Sequence, residues 1–193
     1  MKRLAVYCGS ATPPDRRYLD LAREVGEMLA TRGIGLVYGG GRVGLMGALA
    51  NGALEAGGEV IGVIPEALES RELANTACTE LKVVPSMHER KRLFTDLADG
   101  FVTLPYGVGT MDELWEAVSW AQLGYHAKPV GLLNALGYYD GLVSFYRQMA
   151  ETGFVREVHR DIVVVAGDIG ELLEKMASHR PVTSVMQMRA SEL

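Results

Sequence analysis

Cysteine is scarce in this chain: Cys8 and Cys78 are the two in 193 residues, and they do not form a C-x-x-C pair. That argues against a disulfide framework or a thiolate zinc site and fits a reducing compartment, with the cytosol as the expectation. Basic charge is also short. Nineteen Lys and Arg against 24 Asp and Glu leave a formal charge of -5, so nothing general attracts nucleic acid or an anionic membrane. A small-molecule partner is expected instead. Long apolar runs are missing as well: after Met1-Lys2-Arg3 the run Leu4 to Cys8 is too short for a signal h-region or a membrane span. His126, His159 and His179 stand apart from carboxylates at metal-ligand spacing, and His88 is as readily a helix-start or core residue as a catalytic one; no metal is expected. There is no Gly-Lys-Ser or Gly-Lys-Thr, so a nucleoside triphosphate with magnesium is not indicated.

Glycine, by contrast, is plentiful, and 48% hydrophobic with 22% charged residues is the composition of one ordinary soluble domain. Short apolar runs recur at Leu4 to Cys8, Ile34 to Tyr38, Val60 to Ile64, Leu81 to Val84, Gly100 to Leu104, Pro129 to Leu133 and Ile162 to Val165. They are continuous rather than alternating, as in a parallel sheet covered on both faces. Between them, Tyr18 to Arg32, Leu45 to Ala56, His88 to Asp99, Met111 to Gln122, Tyr139 to Glu151 and Ile169 to Ala177 carry apolar residues at helical spacing. The pattern predicts an α/β, Rossmann-like, doubly wound domain of about seven parallel strands over residues 1–180. Residues 181–193, polar and rich in Met and Ser, read as a flexible tail.

Ligands of open parallel sheets bind beyond the carboxyl ends of the strands. Gly9-Ser10, Gly39 to Gly44, Pro65-Glu66, Met87 to Lys91 and Pro105 to Glu113 all follow strands and should converge there. The first glycine loop, Gly39-Gly40-Gly41-Arg42-Val43-Gly44, matches G-x-G-x-x-G, with Glu66 about twenty residues on, so a nicotinamide cofactor is one reading. Yet it follows the second strand, and Gly47, Ala48, Ala50, Gly52 and Ala53 in the next helix point to close helix-to-sheet packing; Ser10, Gly40 and Gly41 are kept as cleft candidates. The second loop, Pro105-Tyr106-Gly107-Val108-Gly109-Thr110, leaves amides accessible at a helix start, with Thr110 as the expected N-cap, and suits a monophosphate. Glu113, three residues past Thr110, shares its face, whereas Asp112 points about 100° away, so Glu113 is the better catalytic carboxylate. At the start of the preceding helix, Arg90 offers forked donors to a phosphate or sugar, and Lys91 adds charge.

Taken together, Tyr38 to Gly41 with Gly44 to Gly47, Ser86 to Lys91 and Pro105 to Glu113 resemble the Lonely Guy family of cytokinin-activating phosphoribohydrolases over about residues 1–178. The hallmark of that family is P-G-G-x-G-T-x-x-E. Its members have also been labelled lysine decarboxylases, a chemistry for which no lysine here has a pyridoxal context. The resemblance implies a Rossmann-like homodimer, with its active site near the interface and no cofactor, acting on an N6-modified adenosine 5'-monophosphate or on AMP. It would hydrolyse the N-glycosidic bond to free base and ribose 5-phosphate. Carried over by motif, Arg90 and Glu113 are the catalytic pair, and Glu72, Met87, Lys91, Gly107, Val108, Gly109, Thr110 and Ser119 contact substrate. Trp115, Val118 and Trp120 are either core or a dimer-facing surface.

Glycoside cleavage builds positive charge on the ribose, which the Glu113 carboxylate can stabilise while orienting or deprotonating water. Arg90 can relieve charge on the departing purine or hold the sugar phosphate in register. One residue departs from the hallmark: Tyr106 replaces its first glycine. The ring can narrow the pocket, stack on a base or point outward, and a glycine there could have supplied a positive φ. Two other functions share these features. A non-catalytic nucleotide sensor or carrier would keep the phosphate loop alone, and an oxidoreductase would use the first glycine loop.

Overall fold

The computed structural model describes residues 1–69 and 74–188. Its strands are β1 (Arg3–Tyr7), β2 (Gly35–Tyr38), β3 (Val60–Pro65), β4 (Glu80–Val84), β5 (Phe101–Thr103), β6 (Val130–Leu133) and β7 (Val163–Ala166). Each falls on one of the seven apolar runs. The helices are α1 (Arg17–Thr31), α2 (Gly44–Glu55), a short α3 (Glu66–Glu69), α4 (Met87–Leu97), α5 (Val108–Leu123), α6 (Asp140–Glu151) and α7 (Ile169–Ala177). With four residues, α3 has too little length to show a period, and the sequence did not announce it.

All strands pair in parallel in the order β4-β3-β2-β1-β5-β6-β7. The chain winds outward from β1 in one direction through β4, then crosses to β5 on the other side. Beyond the carboxyl ends of β1 and β5, the loops therefore diverge and leave a crevice at the switch point. Register fixes which loops line it: Tyr7 stands beside Thr103, so the loops after both strands leave the sheet at the same height.

Both faces of the sheet are packed. Along β1, Leu4 and Val6 join a core made with α1, α2 and α7, while Ala5 and Tyr7 join one made with α4 and α5. That alternation is the pleat of a strand buried on two sides, and each large side chain so buried contributes roughly 1.5–3 kcal/mol. The glycines of α2 serve a different contact from the helix-to-sheet packing expected of them. A Cβ on Gly52 would lie 2.1 Å from the Arg23 carbonyl, and one on Gly26 would lie 2.0 Å from that of Leu49. Backbones of α1 and α2 thus touch where each presents a glycine.

Residues 181–188, within the expected tail, lie against the domain. Ser184 is buried, and His159 Nε2 donates to the Thr183 carbonyl at 3.0 Å. No described helix is long and apolar enough to cross a membrane.

Candidate active site

A cavity of about 220 Å³ opens at the switch point, lined from five directions. Cys8, Gly9 and Ser10 come from the end of β1, Met46 from α2 and Leu68 from α3. Met87, Arg90 and Lys91 come from α4, while Tyr106, Gly109, Thr110, Asp112 and Glu113 come from the loop after β5 and the first turns of α5.

Arg90 enters this cavity from beneath. It is 6% exposed, its Nε donates to the Val63 carbonyl at 3.0 Å, and its Nη2 donates to the Gly39 carbonyl at 2.8 Å. The guanidinium also lies 5.6 Å from the Phe94 ring centroid. Ser86 sets the direction of α4 by accepting the Glu89 amide at 3.2 Å as its N-cap, and the helix then delivers Arg90 one turn in. The first glycine loop is the arginine's seat. A Cβ on Gly39 would stand 2.3 Å from Nη2; Gly40 and Gly44 have φ of +79° and +59°, which only glycine adopts freely. All three are explained within the protein, and the dinucleotide reading loses its support.

The second loop differs in kind. Gly107 and Gly109 have no positive φ, and a Cβ on either would meet nothing within 4 Å. Nothing intramolecular requires glycine there. The helix starts earlier than the sequence suggested: Gly107 is the N-cap, and Thr110 sits inside the first turn instead of capping it. The first helical bond is from the Met111 amide to the Gly107 carbonyl, at 3.2 Å, so the amides of Val108, Gly109 and Thr110 have no acceptor within the helix. Thr110 Oγ1 is buried, lines the cavity region and has no hydrogen-bond partner in the protein. Three amides at a positive helix end and an unmet buried hydroxyl, beside glycines that leave room, are groups that can accept an anion.

Glu113 follows one turn later, half-buried and on the cavity wall. Cys8 lies within reach of both charged candidates: burial pushes its thiol up, Glu113 adds to that, and Arg90 opposes it. The thiol is held protonated, which suits a wall and not a nucleophile. Lys91, also on the wall, has its ammonium 2.7 Å from Asp112 and 3.2 Å from Glu116. Burial disfavours its charge, but the two carboxylates outweigh this and raise its pKa. The ammonium joins α4 to α5 and is already balanced.

Of the other expected site residues, Met87 is at the mouth and 41% exposed, and Ser10 is on the wall. Val108 is exposed at the rim, and Gly107 faces an adjoining cavity of about 150 Å³. Gly40 and Gly41 do not line the cavity; Gly40 lies against Val63, Ile64 and Leu81, and Gly41 pairs with Ala74. Ser119 is on the exposed surface of α5, away from the wall. Glu72 falls outside the described residues. Val118 is core, whereas Trp115 packs on Tyr146 and Trp120 on Tyr125. His88 is exposed. Among the described residues, no group of three or more His, Cys, Asp and Glu side chains is placed to hold a metal ion. Cys8, Met46 and Leu68 were not singled out as wall residues: Cys8 ends an apolar run, Met46 lies among the small residues that open α2, and Leu68 is the one large apolar residue between Glu66 and Glu69.

The family model described as "Possible lysine decarboxylase" matches residues 46–176. A cytokinin riboside 5'-monophosphate phosphoribohydrolase of Arabidopsis thaliana is 45% identical over 180 residues, covering 93% of this chain and 84% of that protein. Another, from Oryza sativa subsp. japonica, is 46% identical over 180 residues, covering 93% and 74%. Among solved structures, the molybdenum cofactor carrier protein of Chlamydomonas reinhardtii superposes with a TM-score of 0.69 over 92% of this chain and 98% of that one. At 24% identity it shares the fold.

Proposed function

Since the chain belongs to the Lonely Guy family of cytokinin riboside 5'-monophosphate phosphoribohydrolases, we propose that it hydrolyses the N-glycosidic bond of an N6-modified adenosine 5'-monophosphate. The products are the free base and ribose 5-phosphate. The C1'–N9 bond breaks and a water oxygen bonds to C1'; one of the water's protons stays on the new C1' hydroxyl, and the other passes, by way of Glu113 or solvent, to the departing base.

One observation carries this reading: the anion receptor at Val108 to Thr110 lies one helical turn before Glu113, in the cavity that Arg90 enters. The receptor takes the 5'-phosphate through amides that make charge-assisted hydrogen bonds. Anchored there, the sugar brings its C1' toward Glu113, whose carboxylate stabilises the oxocarbenium charge and orients the attacking water. Arg90 supplies positive charge, either to the leaving purine or to the sugar phosphate. Its rigid seat means that little reorganisation is needed when charge develops.

The substrate's purine and its substituent extend to the cavity mouth near Met87. A second copy of the chain packs against α4 and α5. The supporting feature is a groove of about 520 Å³ lined by Arg92, Thr95, Asp96, Trp120 and Tyr125, with Tyr125 65% exposed. Light scattering on the parent and on Trp120→Asp tests the pairing: a dimer that the substitution dissociates is expected, and a monomeric parent contradicts it. The scarcity of cysteine and the lack of a C-x-x-C pair support a reducing compartment, the cytosol in this reading.

The function is tested by incubating the protein with isopentenyladenosine monophosphate, AMP and the dephosphorylated riboside, then separating bases from nucleotides. Base released from monophosphates alone supports the reading. Binding of nucleotide with no base from any substrate would leave a sensor or carrier in its place.

A further inference from the structure

Tyr106 stands where the family hallmark has a glycine, and it is tied on every side. Its amide donates to the Tyr139 hydroxyl at 3.2 Å, its carbonyl accepts from the Tyr138 hydroxyl at 2.9 Å, and its own hydroxyl accepts from the Ala11 amide at 2.7 Å. The backbone is not in the left-handed region, which among non-glycine residues described here is occupied by Leu136 alone. Tyrosine therefore sits there without the strain that a lost glycine could have caused.

The ring covers Gly9. A Cβ on residue 9 would lie 1.8 Å from Tyr106 Cε1 and 1.9 Å from its Cζ. Gly9 has no positive φ, so the ring itself is what demands glycine at that position. On its other side the same segment is held by α2: the Gly9 carbonyl accepts the Met46 amide at 3.0 Å, and a Cβ on Gly44 would lie 2.2 Å from the Ser10 carbonyl oxygen. Gly9 to Ala11 is thus clamped between α2 and the Tyr106 ring, with Ser10 on the cavity wall. Tyr106 also lines both this cavity and the adjoining one, whose other walls include Pro13, Tyr18 and Tyr138. Its ring is the partition between them.

We propose that Tyr106 is a positioning residue that straps Gly9 to Ala11 against the cleft and so holds Ser10 for contact with the sugar phosphate. It couples two loops, one from β1 and one from β5, that must both face the same ligand. A glycine at position 106 has neither the hydroxyl nor the ring for this. The proposal rests on the reading of the cleft as a sugar-phosphate site.

Three measurements test it. In ligand-free protein, hydrogen exchange at the Ala11 amide is expected to quicken about tenfold in Tyr106→Phe, which keeps the ring and removes the acceptor. With isopentenyladenosine monophosphate, the same variant is expected to raise KM about three- to tenfold, the range for one hydrogen bond, with kcat within twofold. Gly9→Ala is expected to lower kcat/KM at least a hundredfold in the parent and to regain at least tenfold when combined with Tyr106→Gly. Unchanged KM and Ala11 exchange in Tyr106→Phe would overturn the strap, as would an equal penalty for Gly9→Ala in both backgrounds. Should Gly9→Ala fail to fold, Tyr106→Phe decides. A parent that releases no base fails the functional reading, and the strap is then read from ribose 5-phosphate affinity and Ala11 exchange. A parent that does not bind ribose 5-phosphate either overturns both.

Discussion

Arg90 Nη2 donates to the Gly39 carbonyl at 2.8 Å, at a place where a Cβ on residue 39 would stand 2.3 Å from the same nitrogen. The first glycine loop seats the cation, and in the proposed function the second receives the anion. Gly39→Ala should push the guanidinium aside without touching substrate. A displacement of about 1 Å can cost on the order of a hundredfold in rate. We expect kcat to fall by that order, measured by base release, while circular dichroism retains the folded spectrum. Parent-like turnover would show that Arg90 tolerates movement.

Thr110→Val should separate binding from stability. The hydroxyl is buried without a partner in the free protein, a situation that costs about 1–3 kcal/mol, and valine preserves the shape. Melting temperature should hold or rise. Affinity for AMP should fall about tenfold or more, as expected for loss of a hydrogen bond to a charged group, which is worth roughly 1.5–3 kcal/mol. Calorimetry and a thermal melt on the same preparation check both directions.

Lys91→Met removes the cation between Asp112 and Glu116 and leaves two carboxylates one helical turn apart. The variant should lose about 1–2 kcal/mol of stability by urea denaturation, given that the acids are partly solvated. Glu116→Gln in the Lys91→Met background should restore part of it. Additive effects in a double-mutant cycle would mean that the ion pairs do not hold α4 to α5.

His126 predicts a pH dependence of folding. Its Nε2 faces the Ala117 carbonyl at 3.0 Å and therefore donates, while its Nδ1 accepts the Lys128 amide at 3.2 Å, an arrangement that requires the neutral ring. Burial, opposed by the Ala117 bond and aided by the Lys128 charge, lowers its pKa from 6.5 to about 4. Protonation thus favours the unfolded chain. The stability is complete above about pH 6.5 and declines toward pH 4, by about 1–2 kcal/mol after discounting the ring's partial solvation. Denaturant midpoints at pH 7 and pH 5 should differ in the parent and differ less in His126→Gln.

Much of this was legible in the chain because continuous apolar runs and helical spacing report burial directly. Leu4 to Cys8 and Gly100 to Leu104 could each be read as a buried strand without knowing their neighbours. What the glycines do could not be read that way. Gly39, Gly40 and Gly44 look like a phosphate loop in the sequence, yet their reasons are a buried guanidinium and two positive φ angles, all set by tertiary contact. Gly107 and Gly109 look the same on paper and have no such reason. Lys91, readable as a spare cation, gains its carboxylate partners only when α4 and α5 lie side by side. Cys8 and Met46 enter the cleft as single residues of apolar segments and Leu68 from a four-residue helix, where no periodic pattern marks the one that faces the cavity.

The most direct test of the central claim is Glu113→Gln, compared with the parent for AMP affinity and for base release from isopentenyladenosine monophosphate. The amide keeps the side chain's size and removes the charge proposed to stabilise the oxocarbenium ion. We expect affinity within about threefold of the parent and kcat lower by about two orders of magnitude or more, the scale seen when an electrostatic transition-state contact is removed. Turnover equal to the parent's would contradict the assignment of Glu113 and, with it, the account of how this cleft works.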